Sequence, residues 1–428
     1  MVNEENMVSR LIKDTKIPKM IKIRQKFSYQ RIERENIEDC ISMGINKKQL
    51  SKKIKPGMRI CITAGSRGIS NIDVILGTAV KYCKERGAKP FIVPAMGSHG
   101  GATAEGQREV LSSLNITEQT MGCPILATMD TVLIGHTEDG KEVYIDKYAA
   151  EADGIIVINR VKAHTAFRGP YESGIMKMMT IGLGKQHGAE VCHSAGINRM
   201  AQYIPSFGKT ILKNAPVMFA VAITENAFDE TYKISVLTPD EVISEEPYLL
   251  KEAISLMSRI YFDSCDVLIV DEIGKNISGD GMDPNITGTF PTPDVKGGIQ
   301  AQRRGILSLT EETHGNGNGV GTADVISKRL YNALDLSKTY PNVLTSTLLN
   351  LAKVPIIVEN DEEVFKLCIR SCCGVDKNKI RVVRIKNTLN LEYIYISEAM
   401  VEEAKKNPNI EIVGEAEELK FNERGNLW

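Results

Sequence analysis

Three short apolar runs in the first half of the chain are each followed by a loop that carries an ionisable side chain. The runs are residues 59–63, 91–94 and 154–158. Each is rich in Ile and Val and is bounded by Gly, Pro or polar residues, as expected of a strand buried on both faces of a parallel sheet. Arg67, His99 and His164 follow these runs. Ligands bind beyond the carboxyl ends of such strands, so the pattern predicts that the three side chains lie around one crevice.

Helical patterns separate the apolar runs. Residues 71–87 carry apolar side chains at helical spacing between a polar start and a glycine. Residues 103–114 predict a second helix, with Thr103 as its N-cap and Gln107 near the capping-box position. A polar turn at residues 138–141 predicts a hairpin. The alternation of strands and helices predicts an α/β fold with mainly parallel sheets.

A second series of elements follows a long predicted helix at residues 238–260. Its predicted strands cover residues 267–270, 305–309, 354–358, 381–385 and 392–396, and its predicted helices cover residues 322–334 and 362–371. A chain of 428 residues is too long for one compact core. We therefore predict two α/β domains with the active-site crevice between them.

The predicted boundaries follow from the second series. Residues 1–258 would form an N-terminal cofactor-binding and catalytic domain, and residues 259–405 a C-terminal α/β domain. Residues 406–428 would form a tail with one strand at 410–413. That strand suits either domain, and a return of the tail to the N-terminal domain is one of the two options.

Composition and charge limit the partners of the chain. Apolar residues make up 42% and charged residues 25%, with 53 Lys and Arg against 54 Asp and Glu. Without a basic excess, we expect no nucleic-acid partner and no binding to an anionic membrane. The first residues are acidic and no apolar stretch approaches the roughly eighteen residues of a membrane helix, so we expect a cytoplasmic protein. Nine scattered cysteines without a CxxC pair predict reduced thiols.

The segment from residue 164 to residue 193 is the richest in chemistry. It holds three of the six histidines, at positions 164, 187 and 193. Histidine carries protons and binds soft metals near neutral pH, although an isolated histidine is more often structural, which is our interpretation of His187. The glycines of residues 182–188 match neither a dinucleotide motif nor a phosphate loop. Their amides suit a single phosphate at a helix start, and a tight turn explains them equally well.

With their spacing, these residues resemble the nickel-dependent lactate racemase family of 2-hydroxyacid racemases and epimerases. The resemblance spans nearly the whole chain and is strongest over residues 59–193. The family pattern is matched by Arg67 after the first strand, Gly97-Ser98-His99 after the next, His164 after the third, and Lys177 followed sixteen residues later by His193.

The resemblance implies a role for each of these residues. The implied roles are catalysis for His99 and His164, substrate binding for Arg67, covalent attachment of a cofactor for Lys177, phosphate binding for Gly182 and Gly184, and metal ligation for His193. The implied cofactor is a nickel-pincer nucleotide, a pyridinium-3,5-dithiocarboxylate mononucleotide that supplies two sulfurs and one carbon to nickel. A lysine amine suits the covalent bond, and an imidazole suits a square-planar nickel site.

The implied activity is an isomerase that inverts the hydroxyl-bearing C2 of a 2-hydroxyacid by transient hydride transfer to the cofactor. Cofactor-maturation enzymes would then be necessary partners. Two alternatives stay open. A dehydrogenase or lyase with a freely bound nucleotide is disfavoured by the missing dinucleotide motif, and a non-catalytic cofactor-binding homologue is disfavoured by the presence of both His99 and His164.

The chain departs from the family pattern near the predicted substrate. Ala64 replaces an acidic residue three positions before Arg67, and glycines at positions 100 and 101 follow His99 in place of the usual arginine. These changes predict a roomier pocket and a substrate longer or more polar than lactate, such as a sugar acid or a hydroxy-diacid.

A further departure concerns the second domain. A Gln-x-x-Lys carboxylate clamp of the family is matched there by Gln300 and Arg303, with Arg304 as an alternative cation. An arginine would offer the substrate carboxylate a bidentate fork in place of a point charge.

Overall fold

The computed structural model describes residues 7–66, 68–194 and 196–428, except for the side chain of Thr345. Its strands are β1 Met20–Gln25, β2 Arg59–Ala64, β3 Lys89–Pro94, β4 Thr131–His136, β5 Glu142–Asp146, β6 Gly154–Arg160, β7 Val217–Glu225, β8 Thr231–Leu237, β9 Ser264–Ile273, β10 Gln300–Leu309, β11 Val325–Ser327, β12 Ile356–Val358, β13 Val382–Ile385, β14 Tyr393–Ser397 and β15 Ile410–Ile412.

Helices of three to eighteen residues connect the strands. They are α1 Met7–Ile12, α2 Ile37–Lys47, α3 Ile72–Lys84, α4 Ala104–Ser113, α5 Glu118–Met121, α6 Lys147–Ala150, α7 Ile175–Lys177, α8 Lys185–His193, α9 Met200–Asn214, α10 Pro239–Leu256, α11 Pro284–Thr287, α12 Lys328–Ala333, α13 Leu336–Ser346, α14 Asp361–Ser371 and α15 Val401–Ala404. A π-helical turn, Met178–Gly182, continues α7. Within the described ranges, none of the helices combines the length and the apolar character that crossing a bilayer requires.

The first of two compact units, Ser28–Met257, is built around a sheet with the strand order β3-β2-β6-β7-β8. β3, β2, β6 and β7 are parallel neighbours, and β8 runs antiparallel to β7. All nine residues of β7 are buried, as its apolar sequence requires. α2 and α3 cover one face of the sheet, and α7 to α10 cover the other.

The second unit comprises Met1–Phe27 and Ser258–Trp428. Its sheet has the order β12-β11-β10-β9-β13-β14-β1-β15. The strands from β12 to β13 are parallel to one another, whereas β14, β1 and β15 are antiparallel to their neighbours. The chain is therefore a mixed α/β protein with mainly parallel sheets, and the predicted fold class is confirmed.

The division of the chain differs from the predicted one at both termini. The first residues belong with the C-terminal unit because β1 fills the space between β14 and β15, where Ile21 and Ile23 are buried. Ile23 is paired with Ile412, so the tail strand lies in this unit as well and does not return to the N-terminal domain. The short alternating strand at residues 20–25 carried too weak a pattern to be assigned from the sequence.

One predicted helix is also wrong in part. Residues 322–334 do not form a continuous helix, because Val325–Ser327 is a strand between β10 and β12 and only Lys328–Ala333 is α-helical. Val325 and Ile326 are β-branched and fully buried in the sheet. Such residues favour a strand wherever a sheet is available to cover both of its faces.

Candidate functional site

The carboxyl ends of β2, β3 and β6 lie side by side at one edge of the first sheet because these strands are parallel neighbours. The loops after β3 and β6 carry His99 and His164. The turn before His99 contacts the segment that follows Lys177, since the N–H of Gly97 donates to the carbonyl of Gly182 at 3.1 Å. The topology therefore brings residues from distant parts of the chain to one edge.

His99 is anchored to the neighbouring strand end through its ring. Its Nδ1 is hydrogen-bonded to the hydroxyl of Ser66, in the loop that follows β2. The residue is exposed, so a ligand can reach it. Gly100 and Gly101 follow with φ of +66° and +65°, a left-handed backbone that explains why glycines stand here. Arg67, the predicted substrate-binding residue, lies outside the described residues.

A buried lysine fixes the end of β3. Lys185 has no exposed surface, and its ammonium group donates to the carbonyl of Pro94 and, at 2.9 Å, to Oε1 of Gln107. Oδ2 of Asp146, which is also fully buried, lies 3.1 Å from Nζ. Two hydrogen bonds and one ion pair thus engage the ammonium group. Lys185 has a φ of +55°, which is unusual for a residue other than glycine.

Gln107 extends this network to the turn that carries His99. Its amide donates to the carbonyl of Gly97 at 2.8 Å and to that of His99 at 3.3 Å. It is therefore not the capping-box residue that the sequence predicted. Thr103 caps α4 as predicted, with its hydroxyl accepting the N–H of Gly106 at 3.0 Å.

Hydrogen bonds from the main chain and from the ring hold His164 in place. Its main-chain N–H donates to Oε2 of Glu172 at 2.7 Å, and its Nδ1 accepts the main-chain N–H of Ala166 at 3.0 Å. Its Nε2 lies 2.7 Å from Nζ of Lys177. Burial, followed by the charges of Lys177 and Lys162, lowers the pKa of His164 well below its ordinary 6.5. The ring is therefore neutral at neutral pH.

Lys177 ends the short helix α7, whose start is fixed by a buried carboxyl group. Glu246, from α10, accepts the main-chain N–H of Met176 at 3.0 Å. Burial raises the pKa of Glu246 to about 8. A Cβ at Gly174 would lie 1.9 Å from Oε1 of Glu246, so a larger residue at this position would displace the carboxyl group from the start of the helix. The carboxyl group thus sets the position of the turn that carries Lys177.

His193 is the last residue of α8, sixteen residues beyond Lys177. Burial, followed by the charge of Lys177, lowers the pKa of His193 to about 4. Its imidazole is therefore neutral at neutral pH, the form in which histidine binds a metal. In residues 7–66, 68–194 and 196–428, no group of three or more His, Cys, Asp or Glu side chains is arranged to hold a metal ion.

Close packing accounts for the two glycines that were expected to bind a phosphate. A Cβ at Gly182 would lie 2.6 Å from the carbonyl oxygen of Ala95. One at Gly184 would lie 2.4 Å from the carbonyl oxygen of Thr180. Backbone contacts of this length exclude any larger residue, so these glycines do not by themselves indicate a phosphate site.

The structure gives no support to the predicted carboxylate clamp in the C-terminal unit. Gln300 and Arg303 lie at the amino end of β10, whereas ligands bind beyond the carboxyl ends of parallel strands. The guanidinium group of Arg303 donates to the hydroxyl and the carbonyl of Ser371 at 3.1 and 3.0 Å. Arg304 donates to the carbonyl of Thr287 at 2.9 Å. Both arginines therefore stabilise the packing around the start of this strand.

Two acidic residues of the site were missed in the sequence. Glu172 holds the loop after β6 through the N–H of His164, and Glu246 lies 70 positions from the residue that it binds. A signal for Glu246 was present, because Val242, Glu246 and Leu249 share the helical spacing of a buried face. Neither Glu172 nor Glu246 belongs to a known sequence motif. Their hydrogen-bond partners can therefore be identified only from the fold.

The N-terminal part of the chain matches a known family. Residues 4–203 match the family model described as the lactate racemase N-terminal domain. This part of the chain is therefore similar to that domain. His99, His164, Lys177 and His193 all lie within the matched residues, and Glu246 lies outside them.

Solved structures show the same fold over most of the chain. The lactate racemase apoprotein from Thermoanaerobacterium thermosaccharolyticum is similar with a TM-score of 0.50 and 14% identity, over 86% of this chain and 93% of that one. A Thermotoga maritima protein solved by the Northeast Structural Genomics Consortium is similar with a TM-score of 0.50 and 13% identity. The match covers 86% of this chain and 99% of that one. At these identities the similarity shows the fold alone. A search among curated proteins returned no match.

Replacing Lys185 by Met should destabilise the compact unit Ser28–Met257 by ~3–5 kcal/mol, because it leaves the buried carboxylate of Asp146 without its counter-charge. Urea unfolding followed by circular dichroism measures this. Lys147→Met is the matched control, since Lys147 is an exposed residue 3.8 Å from Asp130 and its loss should cost less than ~1 kcal/mol. Equal effects of the two substitutions would show that the buried pair does not hold this region together.

Replacing Glu246 by Gln should flatten the pH dependence of stability. The folded-state pKa is raised from 4.5 to about 8, so the stabilisation from protonated Glu246 is fully present below about pH 4.5 and is lost as the pH rises through about 8. Between these limits the free energy of unfolding of the wild type should fall relative to Glu246→Gln, by at most ~1.4 kcal/mol per pH unit. Glu245→Gln, at an exposed neighbouring position, is the control. Parallel curves for wild type and Glu246→Gln would contradict this assignment.

Proposed function

We propose that this chain is an isomerase, a racemase or epimerase that inverts the hydroxyl-bearing C2 of a 2-hydroxyacid, and that a nickel-pincer nucleotide is covalently attached to Lys177. The observation that carries the proposal is the 2.7 Å contact between Nζ of Lys177 and Nε2 of His164 within the residues that match the lactate racemase N-terminal domain. An amine for covalent attachment and an imidazole for proton transfer thus lie side by side.

Lys177 suits covalent attachment better than Lys185. The ammonium group of Lys185 is fully buried and is engaged by Pro94, Gln107 and Asp146, so it has neither space nor a lone pair for a cofactor. Lys177 is only partly buried and contacts an imidazole. The amine that the family pattern selects is therefore also the accessible one.

The residues present fit the cofactor. A cofactor that supplies two sulfurs and one carbon needs one further ligand from the protein, and His193 offers a neutral imidazole nitrogen near Lys177. When bound, the cofactor would supply a hydride acceptor for C2 of the substrate. Its synthesis requires maturation enzymes, so the active protein would be made only in cells that have them.

His99 and His164 are the proposed acid–base pair. Inversion in both directions requires proton exchange with the substrate hydroxyl whichever enantiomer binds, so two groups from different strand ends are needed. In each ring Nδ1 is engaged, by the Ser66 hydroxyl in His99 and by the N–H of Ala166 in His164. We propose Nε2 as the atom through which each histidine would exchange its proton; in the unmodified chain Nε2 of His164 also contacts Nζ of Lys177.

The proposed substrate is a 2-hydroxyacid that is longer or more polar than lactate. Arg67 would bind its carboxylate, which needs charge-assisted partners to offset lost hydration. This proposal follows from Ala64 and Gly100, which stand where the family pattern has an acidic residue and an arginine. We further propose that the protein acts in the cytoplasm.

Protein purified from its native cells should carry an adduct on Lys177 and one nickel per chain. Intact mass, peptide mapping and metal analysis measure this, and the apo chain made in a host without maturation enzymes is the mass control. With a panel of 2-hydroxyacids, the product formed in D2O should lack deuterium at C2, because hydride transfer does not exchange with solvent. An adduct on Lys185, or activity without nickel, would contradict the proposal.

Replacing His99 or His164 by Ala should lower turnover per adduct-bearing chain by roughly a hundredfold or more, the usual size of a general acid–base contribution. Rates are normalised to the adduct because His164 contacts the attachment residue. His187→Ala is the matched control, since His187 is exposed and its ring packs against Tyr144 with centroids 4.5 Å apart. Near-normal turnover of His164→Ala in both directions would rule out the two-base scheme.

A further inference from the structure

The main chain determines which nitrogen of His164 carries the proton. The main-chain N–H of Ala166 points at Nδ1 from 3.0 Å, and an amide N–H can only donate. Nδ1 must therefore present a lone pair. A doubly protonated ring would place two N–H groups against each other at this contact. Burial, the largest cause of the lowered pKa of His164, favours the neutral ring as well.

A neutral imidazole with a lone pair on Nδ1 has its proton on Nε2. Nε2 lies 2.7 Å from Nζ of Lys177, within hydrogen-bond distance. The Nε2–H must then donate to Nζ, and Nζ can accept only if it has a lone pair. An ammonium group has three donors and no acceptor, so it cannot make this contact.

The surroundings favour a neutral His164. The charges of Lys162 and Arg168 lower the pKa of its ring. Glu172 accepts the main-chain N–H groups of His164 and Gly169, and Glu246 accepts that of Met176. Among the described residues, the titratable and charged groups close to His164 or Lys177 include Lys162, Arg168, Glu172, Cys192, His193 and Glu246.

We propose that His164 holds Lys177 as a neutral, nucleophilic amine in the unmodified chain and so prepares it for reaction with an acyl or thioacyl donor. The inference deepens the proposed function, because attachment of a cofactor requires such an amine, but it concerns the chain before any cofactor binds. In the reaction Nζ attacks the acyl carbon and a C–N bond forms. The bond to the leaving group breaks, the leaving group departs with its electron pair, and the surplus proton on nitrogen passes to water.

Competitive labelling of the apo protein with acetic anhydride tests this. Trace reagent is added between pH 6 and pH 11 in the presence of a lysine model peptide, and acetylation at Lys177 is quantified by mass spectrometry against that peptide. The reaction midpoint for Lys177 should lie at least about two pH units below the ~10.4 of the model lysine. A midpoint equal to that of the model peptide would overturn the proposal, whatever the variants show.

The variant His164→Gln identifies the cause. The Gln carbonyl can accept from an ammonium group, so the midpoint for Lys177 should rise by about one pH unit or more, a tenfold loss of reactivity at neutral pH per unit. His187→Gln, which changes an exposed histidine, should leave the midpoint unchanged. An unchanged midpoint in folded His164→Gln, with circular dichroism as the check on folding, would show that His164 does not control the amine.

These measurements separate the inference from the proposed function, because they require neither nickel nor nucleotide nor turnover. A low midpoint in a chain that never acquires an adduct in its native cells would keep the inference and contradict the cofactor proposal. A midpoint equal to that of the model peptide, in a chain that does carry the adduct in its native cells, would contradict the inference and keep the cofactor proposal.

Discussion

One fully buried ammonium group holds the candidate site in shape. Lys185 joins the end of β3 at Pro94, helix α4 at Gln107 and the end of β5 at Asp146. A charge without exposed surface is tolerated only when its donors are matched and a counter-charge is close. These conditions leave the three elements little freedom to move relative to one another. Gln107 also donates two hydrogen bonds to the turn that carries His99, so this turn is held in place by the same network.

The loops of the site are shaped by carboxyl groups that accept main-chain N–H groups. The segment after β6 has little regular structure, so its amides cannot all find partners within a helix or a sheet. Glu172 binds the N–H of His164, and Glu246 binds that of Met176 at the start of α7. Two carboxyl groups from different elements therefore position His164 and Lys177 against each other, and neither of them needs to touch a ligand.

The features that could be predicted from the sequence are those that depend on residues close together in the chain, such as apolar runs and the spacing of site residues. Runs of Ile and Val identified the strands, and their order placed His99 and His164 at strand ends on the same edge. The family pattern picked out Lys177, and the structure places it 2.7 Å from His164.

What could not be predicted depends on contacts between distant residues. The burial of Lys185 requires Asp146, and neither residue carries a sign of the other in the sequence. Arg303 looked like a ligand-binding cation because its residue type and spacing were suitable, but its position at the amino end of β10 depends on where the strand begins. The strand at residues 20–25 found its place only through partners at the far end of the chain.

The position of β1 has a consequence for the order in which the protein can be assembled during synthesis. Arg24 is bound to Glu392, 368 residues further along the chain. The N-terminal strand therefore leaves the ribosome long before its partners exist, whereas all of Ser28–Met257 is available to fold as soon as it emerges. Until β14 is made, the backbone N–H and C=O groups of β1 have no neighbouring strand to pair with, and its apolar side chains have no core to pack against. Its shortness, six residues with exposed Lys22 in the middle, limits its tendency to pair with other chains during this delay.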